Sequence, residues 1–281
     1  MSGKRSSEVS RPAAPAAEDL TRLAAALRRH PGLVVALSGG VDSTVLLAAA
    51  AAELGRDRVV AVTAVSPSLA AAERDAARRL AAQVGVEHHE LATAEFDDPR
   101  YRANAGDRCY WCKDALFRAA APLADARGFA LAYGENADDL PDDRPGARAA
   151  VRHGVVAPLR EAGWGKDLVR AHARALGLPV ADKPAMPCLA SRIPVGQPVE
   201  LDALERVERL EVAARALGLV VVRARHLPGP RARLEVGAGD WAAAHRHEDA
   251  LRAAARTAGF LDLELGRYRS GSVAAPPLRR W

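Results

Sequence analysis

The stretch "LVVALSGGVDS", Leu33 to Ser43, decides how this chain is read. Leu33 to Leu37 form a short, continuous apolar run, the pattern of a strand buried on both faces of a parallel sheet. Gly39 and Gly40 then separate that strand from a helix expected over about Val41 to Leu54. Glycine allows the tight turn and lets backbone N–H groups approach an anion, while the helix dipole adds positive potential. Ser38 and Ser43 can add hydroxyl donors. Asp42 stands out, because a carboxylate beside a phosphate is repulsive unless it serves a cation or another partner. The G-x-x-x-x-G-K-[ST] pattern is absent, so this is not the loop that transfers a γ-phosphate. The plain alternative is an ordinary Ser/Gly-rich turn without a ligand.

Outward from this stretch, strands and helices alternate. "EDLTRLAAALRRH" reads as a helix before it; "RVVAVTAVS", "VEHHEL" and "FALAYGEN" (Phe129 to Asn136) read as strands after it. The helices expected between them are "LAAAERDAARRLAAQVG" and "CKDALFRAAAPLADARG". Such alternation predicts an α/β fold with a doubly wound parallel sheet, whose ligands sit at the carboxyl ends of the strands, after Leu37 and Tyr133. The fourth strand ends in "GENADD", Gly134 to Asp139. Those residues either form a solvated acidic turn or bring Glu135, Asp138 and Asp139 to a Mg²⁺ ion shared with ATP phosphates.

Four prolines within "VADKPAMPCLASRIPVGQPV" mark a long loop and a domain boundary. Three segments are therefore expected: a disordered tail over 1–17, the nucleotide domain over 18–190, and a smaller C-terminal α+β domain over 191–281 for substrate and oligomerisation. The last holds a helix over Leu201 to Leu217, strands "LVVVRAR", "ARLEVG" and "FLDLEL", a helix near Trp241 to Ala258, and a mostly irregular end.

A chain of 281 residues with 49% hydrophobic residues can bury one good core and a second, smaller one. No stretch reads as a signal peptide or spanning helix, so a cytoplasmic protein without membrane partners is expected. The net charge of +5 would suit a nucleic-acid binder, but the arginines are spread along the chain and no aromatic residues interleave with a basic cluster. Nucleic acid is therefore not the expected partner.

The chain has three cysteines, Cys109 and Cys112 as a CxxC and Cys188 far downstream. They could pack as small hydrophobes, form a redox dithiol, or supply half a zinc site. No second CxxC or His pair completes a zinc site; His88, His89 and His153 lack ligand spacing. Three thiolates suit a [4Fe-4S] cluster with one iron left open to a ligand. Without a cluster, Cys188 becomes a single nucleophile whose thiolate Lys183 and Arg192 would favour.

S-G-G-x-D-S resembles the PP-loop of ATP pyrophosphatases, which cleave ATP between the α- and β-phosphates and hand AMP to an oxygen acceptor. Together, "ALSGGVDSTVLL", "RCYWCKDALF", "GENADD", "KPAMPCLASRIP", "VVRARH", "ARLEV" and "LGRYRSGS" resemble the LarE sulfur transferases. That resemblance implies adenylation of the carboxylates of pyridinium-3,5-biscarboxylic acid mononucleotide, followed by sulfur insertion, in biosynthesis of the nickel-pincer nucleotide of lactate racemase. One branch of the family sacrifices the sulfur of the cysteine matching Cys188, and another uses a CxxC and a [4Fe-4S] cluster; Cys109 and Cys112 place this chain with the second. Arg223 and Arg225, alternating on one strand face, match substrate-site arginines, and Glu211 matches an acidic site residue. Arg192 is a further candidate, and Asp240 a weaker one because the spacing before it is altered. The resemblance further implies a homo-oligomer, a sulfide donor and a downstream nickel insertase. The rival readings are a tRNA thiolase, a non-catalytic adenine-nucleotide sensor and an ammonia-using PP-loop synthetase.

Overall fold

The computed structural model describes residues 15–139, 145–184 and 186–269. Most of the expected tail, and the end of the chain with Ser270 to Ser272 of "YRSGS", lie outside the described residues. In chain order the first half runs α1 (Ala17–Leu27), β1 (Leu33–Ala36), α2 (Val41–Leu54), β2 (Val59–Val65), α3 (Ala71–Val84), β3 (Glu87–Ala92), α4 (Pro99–Ala103), α5 (Arg108–Arg127) and β4 (Ala130–Tyr133). The second half runs α6 (Pro145–Arg152), α7 (Pro158–Glu161), α8 (Lys166–Ala175), α9 (Leu201–Ala216), β5 (Val222–Leu227), β6 (Arg231–Val236), α10 (Trp241–Arg246), α11 (Glu248–Ala258) and β7 (Asp262–Arg267).

The first four strands form a wholly parallel sheet in the order β3-β2-β1-β4, as the alternation predicts. Successive side chains leave a strand on opposite faces, and both faces are covered. Leu33, Val35, Val59 and Ala61 pack with α1, α2, α3 and α8, while Val34, Val60 and Val62 meet Ala120 and Ala124 of α5. That double burial is why β1 and β2 read as unbroken apolar runs. β3 is an edge strand, which is why it tolerates Glu87, His88, His89 and Glu90.

The second sheet has the order β5-β6-β7, with β5 and β6 antiparallel and β6 and β7 parallel across α10 and α11. In β6 the alternation is clean: Ala232, Leu234 and Val236 are buried, and Arg231 and Arg233 are exposed. Its core also takes Leu189, Ala190 and Ile193 from the Cys188 loop, with Cys112 and Cys188 packed against its margin. Several boundaries differ from the sequence reading: the strand expected over Phe129 to Asn136 ends at Tyr133, and the one expected at "LVVVRAR" runs Val222–Leu227. The helix expected from Cys112 begins at Arg108, so both CxxC cysteines lie in its first turns, and the expected Trp241–Ala258 helix breaks at His247 into two.

Candidate active site

In a parallel sheet every loop leaving a strand emerges at the carboxyl edge. β1 pairs with β2 on one side and β4 on the other, so the loops after β1 and β4 diverge and open a crevice between them. The Ser38–Gly40 loop and "GENADD" occupy that crevice. Gly39 has φ +74°, in the left-handed region that favours glycine, and Gly40 caps α2. The Ser38 and Ser43 hydroxyls are 3.1 Å apart. A Cβ on Gly134 would stand 2.5 Å from the Ser43 backbone nitrogen, so only glycine lets β4 end this close to α2. Sequence reasoning could name Gly134 as part of a motif, but not the contact that requires it.

The acids of the phosphate loop and of "GENADD" are each answered. Lys166 Nζ donates to Asp42 Oδ2, and Asn136 Nδ2 donates to Asp42 Oδ1 at 3.2 Å. Asp138 Oδ2 accepts the Lys166 backbone N–H at 2.6 Å, and a Cβ on Gly165 would come within 2.9 Å of Asp138 Oδ1. Buried Glu135 pairs with Arg160. Asp139 Oδ2 accepts the Asn136 N–H at 3.3 Å. Among the described residues, no three His, Cys, Asp or Glu side chains form a cage for one ion. Mg²⁺ needs only one or two carboxylates when phosphates supply other oxygens, and Asp42, on the cavity wall, is the best placed.

Lysines are the residues that the sequence reading missed. Of 40 basic residues only Lys4, Lys113, Lys166 and Lys183 are lysine, and the three described ones meet at this edge. Lys113 lines the cavity, Lys166 holds Asp42, and Lys183 Nζ donates to the Gly39 carbonyl at 3.1 Å and to Glu73 Oε2 at 2.6 Å. The available signal was the retention of a compact point charge in a chain that otherwise uses arginine. Lys183 therefore serves the phosphate loop, and not the Cys188 thiol that it was expected to flank.

A cavity of about 280 Å³ runs from Ser38, Asp42 and Gly134 to Cys112 and Cys188. All three cysteines are free; Cys109 is exposed, and the other two are partly buried. Burial above all pushes the Cys112 thiol up, the protein crowded around the sulfur pushes Cys109 the same way although its residue is exposed, and Cys188 adds to both. The three sulfurs thus lie near enough to feel one another. Burial pushes Lys113 down, against the pull of Cys112 and other acids.

Arg192, Glu211, Arg223 and Arg225 are brought together behind the Cys188 loop, outside the cavity wall. Arg192 and Glu211 are each 1% exposed, joined at 2.8 Å and 3.1 Å. Glu211 also accepts from Arg215 and from the Ala224 N–H. Burial would raise this carboxyl, but its hydrogen bonds and cationic neighbours outweigh that and hold it below the usual range. Arg192 Nη1 donates to the Cys188 carbonyl at 3.1 Å. Arg223 Nη1 meets Met186 Sδ at 3.3 Å, and Arg225 Nη1 donates to the Ser191 carbonyl at 2.9 Å. These side chains brace the loop that carries the thiol, and Arg192 is a positioning residue. Asp240 Oδ2 accepts the Val220 and Val221 N–H groups ahead of β5, a structural duty.

Two further features were not legible in the sequence. Glu95 is 2% exposed, lines the cavity, and has no partner for Oε2. Near Cys109, Arg100 stacks 3.6 Å from the Trp111 ring, and Arg152 donates to the Tyr110 hydroxyl at 2.9 Å. The fold thus assembles an arginine–aromatic cluster from residues that look scattered along the chain.

Residues 20–123 match the family model described as asparagine synthase. The chain is 34% identical over 190 residues to the pyridinium-3,5-bisthiocarboxylic acid mononucleotide synthase of Lactiplantibacillus plantarum, covering 67% of this chain and 69% of that protein. The chain belongs to the LarE family of ATP-dependent sulfur transferases. A second relative, an uncharacterised protein of Synechocystis, is 45% identical over 180 residues, 64% of this chain and 67% of its own. The argininosuccinate synthase of Halobacterium salinarum is 38% identical over 161 residues, 53% of this chain and 40% of that protein. Membership of this PP-loop family implies ATP and Mg²⁺ as cofactors. Among the described residues, no helix is long and apolar enough to cross a membrane.

Proposed function

We propose that this enzyme adenylates the carboxylates of pyridinium-3,5-biscarboxylic acid mononucleotide and converts them to thiocarboxylates, with sulfide held by Cys109, Cys112 and Cys188. A single observation carries the reading: Cys112 and Cys188 line the same cavity as Ser38 and Asp42. One metal ion would need its sulfur donors about 2.3 Å away. A [4Fe-4S] cluster takes one thiolate per iron, so three free cysteines need not surround a single ion to hold it. Cys109, Cys112 and Cys188 would hold it, and it would supply sulfide there.

The chain's own residues account for the rest. A carboxylate is anionic and has no good leaving group. Transfer of AMP from ATP forms the acyl–O–P bond, releases pyrophosphate and removes the charge. The Ser38–Gly40 loop and Lys166 stabilise the departing pyrophosphate, and Asp42 would hold the Mg²⁺ that supplies further positive charge there. Sulfide then attacks the carbonyl carbon, the C–O bond to AMP breaks, and AMP leaves with that electron pair. Glu211, Arg223 and Arg225 hold the Cys188 loop from behind. The proposal extends to a 1–17 tail, a nucleotide domain over 18–190 and a substrate and oligomerisation domain over 191–281. It also includes a homo-oligomer in the cytoplasm, a sulfide donor and a nickel insertase downstream.

Anaerobic purification with iron and sulfide analysis, followed by intact mass after turnover, tests the reading. Several product equivalents with unchanged protein mass are expected; loss of one H₂S from Cys188 would establish the sacrificial route instead. The arginine–aromatic cluster beside Cys109 favours one other reading, a tRNA thiolase. A tRNA gel shift with a steep salt slope would support it.

A further inference from the structure

We infer that Glu95 is the specificity residue for a permanently cationic ring in the acyl acceptor, so that the pocket selects an N-substituted pyridinium diacid over a neutral pyridine diacid. The inference deepens the proposed function and rests on it.

Glu95 opens a 3-10 turn, Glu95–Asp97, that follows β3 at the carboxyl edge of the sheet. It is 2% exposed and belongs to the cavity wall together with Ser68, Cys112 and Cys188. Among the described residues its Oε2 has no hydrogen-bond partner. A buried carboxylate oxygen left unanswered in a cavity is uncommon and asks for an explanation. The other buried acids around the site do not share the condition: Glu135 has Arg160, Glu211 has Arg192 and Arg215, and Asp114 has His153 and Arg118. The group that completes Glu95 therefore comes from the ligand.

The cavity's charges describe that ligand. Lys113 on the same wall offers a cation to a carboxylate, whereas Glu95 presents a carboxylate oxygen that no donor among the described residues answers. A molecule that complements both is zwitterionic, carrying carboxylates and a positive centre that cannot be lost by deprotonation. An N-substituted pyridinium ring has no N–H to donate, so it is recognised by charge and not by a hydrogen bond. Glu95 is also close enough to act on the Cys112 thiol, secondary to burial and Cys188. The ring would then lie beside the sulfur centre, with a carboxyl group directed toward the phosphate loop.

The test compares N-methylpyridinium-3,5-dicarboxylate with pyridine-3,5-dicarboxylate, titrated by NMR into protein saturated with Mg²⁺ and α,β-methylene-ATP. The wild type should bind the cation about tenfold more tightly, and Glu95→Gln, which keeps the shape and removes the charge, should bring the two within about twofold. Affinity for the ATP analogue and the melting temperature serve as folding controls. Equal preference in wild type and Glu95→Gln would overturn the role of Glu95 while leaving the proposed function standing. A wild type that prefers the neutral diacid would overturn it as well. Failure of the wild type to bind either diacid, with the ATP analogue bound normally, would sink both the inference and the reading beneath it.

Discussion

Asp42 would change partners when ATP and Mg²⁺ bind. In the ligand-free protein Lys166 and Asn136 answer its carboxylate; beside phosphate it needs Mg²⁺, and the ammonium of Lys166 is then free to turn to the pyrophosphate oxygens. Lys166→Ala should lower pyrophosphate release by about tenfold to a hundredfold, the usual scale for losing one electrostatic stabiliser. Lys166→Arg should recover little of it, because a planar fork does not replace a point charge. Steady-state pyrophosphate assays decide this. The thiols form the complementary test. Cys109→Ala should abolish iron loading on reconstitution while leaving pyrophosphate release within about twofold of wild type, and Asp42→Ala should do the reverse. Loss of adenylation alone in both variants would overturn this division of labour.

At the scale of elements, the close approach of β4 to the start of α2 positions the nucleotide loop. Gly134→Ala forces a methyl group to within 2.5 Å of a backbone nitrogen that cannot move without shifting α2. The expected cost is about 1–3 kcal/mol in stability, typical of overpacking, with a larger relative loss in ATP affinity because the displaced element carries Ser43. Denaturant melts and ATP titrations on the same variant separate the two. The first turns of α5 hold Cys109, Cys112 and Lys113 at the carboxyl edge because a helix that follows a parallel strand begins there. Topology thus sets the CxxC opposite the phosphate loop, although some seventy residues separate them in the chain.

At the scale of the whole molecule, the Arg192–Glu211 pair ties the Cys188 loop to α9 inside the second core. Glu211→Gln leaves Arg192 with an uncompensated buried charge. It should cost about 3–5 kcal/mol, read as a melting temperature lowered by roughly 10 °C. Stability should also depend on pH in two stages. Burial holds His88, His172 and His226 below the ordinary 6.5, so as pH falls past that value the unfolded chain takes up protons first and the native state loses stability. Glu211 is held below the ordinary 4.5, so its contribution is complete above 4.5 and is lost as pH falls through the lowered value. Melting temperatures should therefore be flat from about pH 7 upward through neutrality and fall first below about 6.5, then again below about 4.5. A melting temperature that rises on acidification through this range would contradict the assignment.

Local pattern was enough for the parallel sheet and the phosphate loop. The apolar runs at Leu33 and Val59, and the Gly39–Gly40 turn before a helix, reflect short-range constraints, namely double burial and a left-handed backbone. Spacing likewise singled out the CxxC, but it could not say that Cys188 would come within electrostatic reach of it. The tertiary structure decided that the Glu211, Arg223 and Arg225 group lies behind the Cys188 loop, that three lysines surround the phosphate loop, and that Glu95 faces the cavity unpartnered. Those outcomes depend on which side chain burial leaves with or without a partner, and that is fixed only when segments remote in sequence pack against one another.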